Sequence, residues 1–66
     1  MEVKFNGEQL SIQVSTLGEL LQEKGLMEKT GIAVAINSAV VSKSKWNVTS
    51  LHENDEILII TAAAGG

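Results

Sequence analysis

Reactive side chains are scarce in this sequence. Cysteine is absent and His52 is the single histidine. An enzyme site needs acids, bases, nucleophiles or metal ligands that converge in space. Seven of the eight acids here are instead assigned to predicted turns and solvent faces: Glu8, Glu19, Glu23, Glu28, Glu53, Asp55 and Glu56. The acidic run at 53–56 lacks the spacing of an EF-hand loop. We therefore expect no catalytic residue and no metal site, and we interpret His52 as an exposed loop residue.

The C-terminal segment is the one place where chemistry is expected. Residues 62–66, with the sequence Ala-Ala-Ala-Gly-Gly, carry no large side chain, so they predict a flexible tail that can thread a narrow tunnel. Ala64 and Gly65 would present Gly66, whose terminal carboxylate is ionised at neutral pH because its ordinary pKa lies far below 7. That carboxylate would attack the activated phosphate of ATP to form a mixed anhydride. A sulfur nucleophile would then displace AMP and leave a thiocarboxylate.

Length and composition limit the class of protein. A chain of 66 residues supports one small core, and with a single Phe and a single Trp that core must consist of aliphatic side chains. Eight acids against five lysines give a net charge of −3, which argues against nucleic-acid binding. No apolar stretch approaches the roughly 20 residues of a membrane span, and no secretory signal pattern opens the chain. We expect a cytoplasmic protein.

The first half of the sequence predicts a hairpin followed by a helix. Apolar residues alternate with polar ones along 1–5 and 10–14, and Asn6-Gly7 between them favours a two-residue turn. Thr16 and Glu19 form a capping-box pattern. Leucines at helical spacing follow, and Gly25 provides a C-terminal stop, so a helix is predicted at about 16–24, packed on the hairpin. Gly18 is expected to weaken its first turn.

The second half predicts another hairpin and a final strand. The run 32–36 is almost continuously apolar, Asn37-Ser38 breaks it, and Val40-Val41 forms a short return strand. The segment 42–54 is predicted to be irregular, with Trp46 either contacting a ligand or, as we favour, packing the segment over the sheet. Residues 57–60 are apolar on both faces, which is typical of a central strand, here parallel to the first.

These elements indicate an α+β fold, with one main helix on one face of a mixed sheet of four to five strands. We assign residues 1–61 to the folded domain and 62–66 to the tail. Over its whole length the chain resembles the ThiS family of sulfur carriers. The matches are the Ala35-Ile36-Asn37 turn, Val40-Val41 followed by Trp46, the strand start at 55–58, and the terminal Gly65-Gly66. Ser42-Lys43 and Asn54 depart from the family, which often has Pro-Arg and Gly there.

The resemblance implies a β-grasp, ubiquitin-like fold and a carrier that is not itself an enzyme. It also implies a cycle in thiamine thiazole biosynthesis. An adenylyltransferase of the ThiF type would activate Gly66 with ATP, a persulfide enzyme would supply sulfur, and a thiazole synthase of the ThiG type would accept it. No cofactor is expected to be bound permanently. ATP is used by the partner.

In such a fold one face of the sheet has no helix over it. Alternation along the last strand turns residues 57 and 59 toward the helix and Leu58 and Ile60 toward the opposite face, close to Ala35. Uncovered apolar surface is typical of protein interfaces. We therefore predict that Ala35, Leu58 and Ile60 bind the partner enzymes.

Two other functions remain open from the sequence. The small subunit of molybdopterin synthase shares the fold, the tail and the chemistry, but is usually a longer chain. A ubiquitin-like interaction module would share the fold, but its tail would carry no sulfur or would be joined to other proteins by an amide bond. An enzyme in its own right is the most distant of the alternatives.

Overall fold

A five-stranded mixed sheet and one short α-helix make up the domain. The computed structural model describes residues 1–61, and the predicted tail with Ala64, Gly65 and Gly66 lies outside the described residues. In chain order the elements are β1 (Glu2–Phe5), β2 (Glu8–Ser11), α1 (Leu17–Glu23), β3 (Ile32–Ile36), β4 (Ala39–Val41), a 3-10 helix (Lys43–Val48) and β5 (Glu56–Thr61). The α+β class, with hairpin, helix, hairpin and final strand, is confirmed.

The first hairpin turns at Asn6-Gly7, as predicted. Their φ angles of 52° and 84° lie in the left-handed region, which a two-residue hairpin turn requires and which Asn and Gly tolerate best. β2 ends at Ser11, earlier than the alternation of the sequence indicates. The pairing itself continues one residue further, since the N–H of Ile12 donates to the carbonyl of Met1 at 2.8 Å.

α1 begins at the predicted capping box. Thr16 Oγ1 accepts the N–H of Glu19 at 3.2 Å, and Glu19 Oε1 accepts the N–H groups of Ser15 and Thr16 at 2.9 and 3.1 Å. A helix of seven residues is too short to be stable alone. Its stability comes from packing, since its three leucines, at 17, 20 and 21, are fully buried against the sheet in one core cluster.

The prediction of an irregular segment at 42–54 was wrong in part, because Lys43–Val48 forms a 3-10 helix. The packing of Trp46 explains the position of this 3-10 helix. The indole is 2% exposed within the core, and its Nε1–H donates to the carbonyl of Val41 at 3.0 Å. Trp46 therefore packs the segment onto the domain, as favoured from the sequence.

β5 occupies the centre of the sheet, whose order is β2-β1-β5-β3-β4. It runs parallel to β1, with Phe5 opposite Ile57, and antiparallel to β3, with Ile36 opposite Ile57. Ile57 is fully buried beneath α1. The predicted central position and parallel pairing of this strand are confirmed.

Gly18 allows α1 and the 3-10 helix to approach closely. A Cβ at this position would collide with Asn47 Oδ1 and lie 3.0 Å from Asn47 Cα. The glycine that weakens the helix by propensity is thus required by packing. If Gly18 is replaced by alanine, helix propensity raises the stability of the protein, whereas the collision with Asn47 lowers it.

We predict that Gly18→Ala destabilises the protein. Helix propensity alone would favour alanine by about 1 kcal/mol, whereas overpacking against backbone costs typically 1–3 kcal/mol, so steric cost should win. Urea unfolding measures the outcome. Adding Asn47→Ala should recover part of the loss, because the colliding amide is removed; a Gly18→Ala variant more stable than the wild type would contradict the packing argument.

We predict that the charge of Glu19 stabilises the domain in a pH-dependent way. Backbone hydrogen bonds from Ser15 and Thr16 hold the pKa of Glu19 below its ordinary value of 4.5. A group whose pKa is lowered by folding stabilises the folded state above its unfolded pKa and loses this effect as the pH falls. The difference in unfolding free energy between the wild type and Glu19→Gln should therefore shrink as the pH falls below 4.5. Glu23→Gln, at the other end of α1, is the control; an unchanged difference at low pH would contradict the assignment.

Candidate functional site

The face of the sheet opposite α1 carries exposed apolar side chains. Leu58 is 48% exposed and Ile60 44%, although both lie on the central strand. Their neighbour Ile57 is fully buried on the helix side. The predicted alternation along β5 is therefore present. We call this surface the open face, and its apolar residues are Ala33, Ala35, Val40, Leu58 and Ile60.

The strand register assembles these residues into two rows. Ala35 lies between Val40 of β4 and Leu58 of β5, and Ala33 lies opposite Ile60. Ala35 itself is only 5% exposed, because its short side chain lies between longer neighbours. It therefore offers a partner little surface, and the accessible part of the row belongs to Leu58 and Val40.

Val40 was not among the residues predicted to bind a partner. It is 71% exposed, more than either of the predicted β5 residues. A signal for it existed in the sequence, since the turn at Asn37-Ser38 fixes the hairpin register and so places Val40 opposite Ala35. The apolar surface thus extends to the edge strand β4.

The other half of the open face is polar. Lys4 of β1 lies opposite Gln9 of β2 and next to Glu56 of β5, and all three are exposed. Gln9 Nε2 donates to Glu2 Oε1 at 2.8 Å. The open face is therefore divided into an apolar half on β3, β4 and most of β5, and a polar half on β1, β2 and the first residue of β5.

The end of β5 lies beside the apolar half of the open face. Thr61, its last residue, lies opposite Ile32 at the start of β3. Ile60, immediately before it, belongs to the apolar half. Thr61, the last residue that the structure describes, therefore lies beside this surface.

The other candidates from the sequence have structural explanations. The side chain of His52 is 77% exposed, with Nδ1 3.8 Å from Asp55 Oδ2. Asp55 is 8% exposed, and its carboxylate accepts the N–H of His52 at 2.7 Å and Asn37 Nδ2–H at 2.9 Å. Within residues 1–61 no group of three potential metal ligands comes together. Asp55 thus stabilises the loop before β5.

No helix among residues 1–61 is long and apolar enough to cross a membrane. The single α-helix of this part of the chain has seven residues. A shallow depression lies on the helix side, lined in part by Val14, Gly18 and Met27. It is separated from the open face by the sheet.

Sequence comparison assigns the chain to a family. The sequence model of the ThiS family matches residues 3–66. This chain belongs to the ThiS family. It is 30% identical to the sulfur carrier protein ThiS of Escherichia coli (strain K12), and the match covers 100% of both chains. The family predicted from the sequence is confirmed.

Solved structures confirm the β-grasp fold of this ThiS-family chain. The crystal structure of the thiamine biosynthesis protein ThiS from Geobacter metallireducens matches with a TM-score of 0.85 at 20% identity, covering 100% of both chains. An NMR structure of a thiamine biosynthesis protein from the same organism gives 0.76 at 20% identity, covering 100% of this chain and 88% of that one. At this identity the likeness concerns the fold.

Both departures from the ThiS pattern suit the local backbone. Asn54 has a φ of 67°, in the region that glycine enters freely and that asparagine tolerates better than most residues. Ser42 has a φ of −67°, close to the value that a proline ring imposes. The φ angles at Asn54 and Ser42 are therefore ones that Gly and Pro, respectively, could also adopt.

Proposed function

We propose that this chain is a sulfur carrier of thiamine biosynthesis that bears sulfur on the carboxylate of Gly66. The observation that carries the proposal is the match along the whole length of the Escherichia coli sulfur carrier protein ThiS. The terminal Gly65-Gly66 supports it, because a slim terminus can enter an enclosed active site. The chain acts in this proposal as a co-substrate of other enzymes.

The proposed chemistry has two stages. In the first, a carboxylate oxygen of Gly66 attacks the α-phosphorus of ATP on an adenylyltransferase of the ThiF type, and pyrophosphate leaves. In the second, the terminal sulfur of an enzyme persulfide attacks the acyl carbon and AMP leaves. In a closing step of that stage, a thiolate attacks the enzyme sulfur of the resulting acyl disulfide, forms a disulfide with it, and releases the thiocarboxylate for transfer to a thiazole synthase of the ThiG type.

The open face supports a docking role beside the tail. Leu58 and Ile60 are exposed on a strand that is otherwise central, and apolar surface of this kind is typical of interfaces. Residues 62–66 of the sequence follow Thr61, and five residues span at most about 18 Å when fully extended. A partner that docks on the open face must therefore have its active site within that distance of the end of β5.

We predict that the purified chain gains sulfur at its terminus. Incubation with an adenylyltransferase of the ThiF type, ATP and a persulfide donor should raise the intact mass by the difference between sulfur and oxygen, and fragmentation should place the change on Gly66. Omitting ATP, or deleting Gly65 and Gly66, should abolish the product. If the wild-type chain with all components remains unmodified, the sulfur-carrier proposal is rejected.

The acceptor distinguishes the thiazole pathway from the alternative of molybdopterin synthesis. The thiocarboxylate product, once made, is offered in parallel to a thiazole synthase and to the large subunit of a molybdopterin synthase. The proposal requires the first to consume it and regenerate the carboxylate.

We predict that Leu58→Asp impairs activation without unfolding the domain. The side chain is half-exposed, so the fold should survive, whereas a charge at the centre of an apolar interface typically costs about 1.4 kcal/mol or more, which is a tenfold fall in kcat/KM for the carrier. The adenylylation rate measures this. Val48→Asp is the matched control, because Val48 is 75% exposed and lies on the 3-10 helix. Equal effects of the two variants would remove the open face from the proposal.

A further inference from the structure

Two asparagines that turn the two hairpins also hold β5. Asn6 follows β1 and Asn37 follows β3, and their φ angles are 52° and 51°. β1 and β3 are the strands that flank β5. Each asparagine therefore stands where a neighbour of the central strand turns away from it.

Asn6 continues the parallel ladder with its side chain. Its backbone N–H donates to the carbonyl of Ile57 at 2.9 Å, as in a regular strand. In a parallel ladder its own carbonyl would next accept the N–H of Ile59, but the left-handed turn redirects the main chain. Asn6 Oδ1 accepts that N–H instead, at 2.9 Å.

Asn37 makes the same replacement on the other edge. Its backbone N–H donates to the carbonyl of Glu56 at 2.8 Å. The return bond of an antiparallel pair would run from the N–H of Glu56 to the backbone carbonyl of Asn37; it goes to Asn37 Oδ1, at 3.0 Å. One N–H of the same amide is used too, since Asn37 Nδ2 donates to Asp55 Oδ1 at 2.9 Å.

Asparagine is suited to this double task. It tolerates positive φ better than other residues with a Cβ, apart from Asp and His, and its amide oxygen is an uncharged acceptor. Glycine would make the turns but offers no side-chain acceptor. Aspartate would make the turns and accept the bond, at the cost of an added charge.

The two bonds act on the strand that carries the proposed function. β5 is paired with β1 only as far as Ile57. Beyond Ile57, the bond from the Ile59 N–H to Asn6 Oδ1 stabilises this edge of the stretch that leads to Thr61. Register matters here because a slip of one residue would exchange the two faces of the strand. Leu58 and Ile60 would then turn inward.

We propose that Asn6 and Asn37 are positioning residues, whose side-chain carbonyls replace backbone carbonyls at both edges of β5 and thereby fix the open face and the start of the tail. Asn37 sets where β5 begins, and Asn6 holds the part that leads to Thr61. The part of this inference that concerns partner docking rests on the proposed sulfur-carrier function. The part that concerns the hydrogen bonding of β5 does not depend on that function.

The test compares Asn6→Gly, which keeps the turn and removes the acceptor, with Asn6→Asp, which keeps both. Ile12→Val is the stability control, since Ile12 is buried and lies outside β5. Amide hydrogen exchange at Ile59, relative to Val34, should become at least tenfold faster in Asn6→Gly, because the Ile59 N–H loses its acceptor. It should be restored in Asn6→Asp and stay unchanged in Ile12→Val.

The same variants are assayed with the adenylyltransferase. Asn6→Gly should raise KM for the carrier at least threefold while kcat stays constant, because docking is affected and the chemistry at Gly66 is not; Asn6→Asp should restore KM, and Ile12→Val should leave it unchanged. If Asn6→Gly and Ile12→Val have the same KM for the carrier, the positioning role of Asn6 is overturned.

Asn37→Gly tests the other edge, and it should accelerate exchange at Glu56 above all. If the wild-type chain is not adenylylated, the proposed function fails, and amide exchange alone then decides whether the asparagines hold β5. Unchanged exchange at Ile59 in Asn6→Gly and at Glu56 in Asn37→Gly overturns the inference.

Discussion

The central position of β5 is the constraint on which the rest of the domain depends. A strand paired on both edges must have its backbone groups satisfied by neighbours. β5 begins with bonds to both neighbouring chain segments: the N–H of Asn37 donates to the carbonyl of Glu56 at 2.8 Å, and the N–H of Asn6 donates to the carbonyl of Ile57 at 2.9 Å. Ile57 then enters the core. The two hairpins and the helix are arranged around this strand, and its end leads to the tail.

Most of the fold was accessible from the sequence because its signals are local. Asn6-Gly7 specifies a turn by the φ angles that these residues tolerate, and Thr16 with Glu19 specifies a helix start by reciprocal hydrogen bonds. The 3-10 helix was missed, since its position depends on where the indole of Trp46 packs. Gly18 was interpreted through propensity, whereas its role comes from Asn47, a contact that no local pattern encodes.

The candidate site could be predicted from the sequence as far as it depends on the alternation of side chains along a strand. Leu58 and Ile60 were placed correctly, because side chains on a strand alternate and Ile57 had to face the core. Exposure was harder to predict. It depends on the size of cross-strand neighbours, so Ala35 is covered while Val40 at the sheet edge is not. The side-chain bonds of the turn asparagines also escaped, because they require the full register of three strands.

The fluorescence of Trp46 allows changes on the helix side of the sheet to be followed separately from changes on the open face. The chain has one tryptophan and no tyrosine, and the indole is buried where α1 and the 3-10 helix meet the sheet. Its emission therefore reports on the packing of that side alone. A partner that covers the open face without deforming the domain leaves this intrinsic probe silent, so any change in emission during complex formation measures distortion transmitted through the sheet.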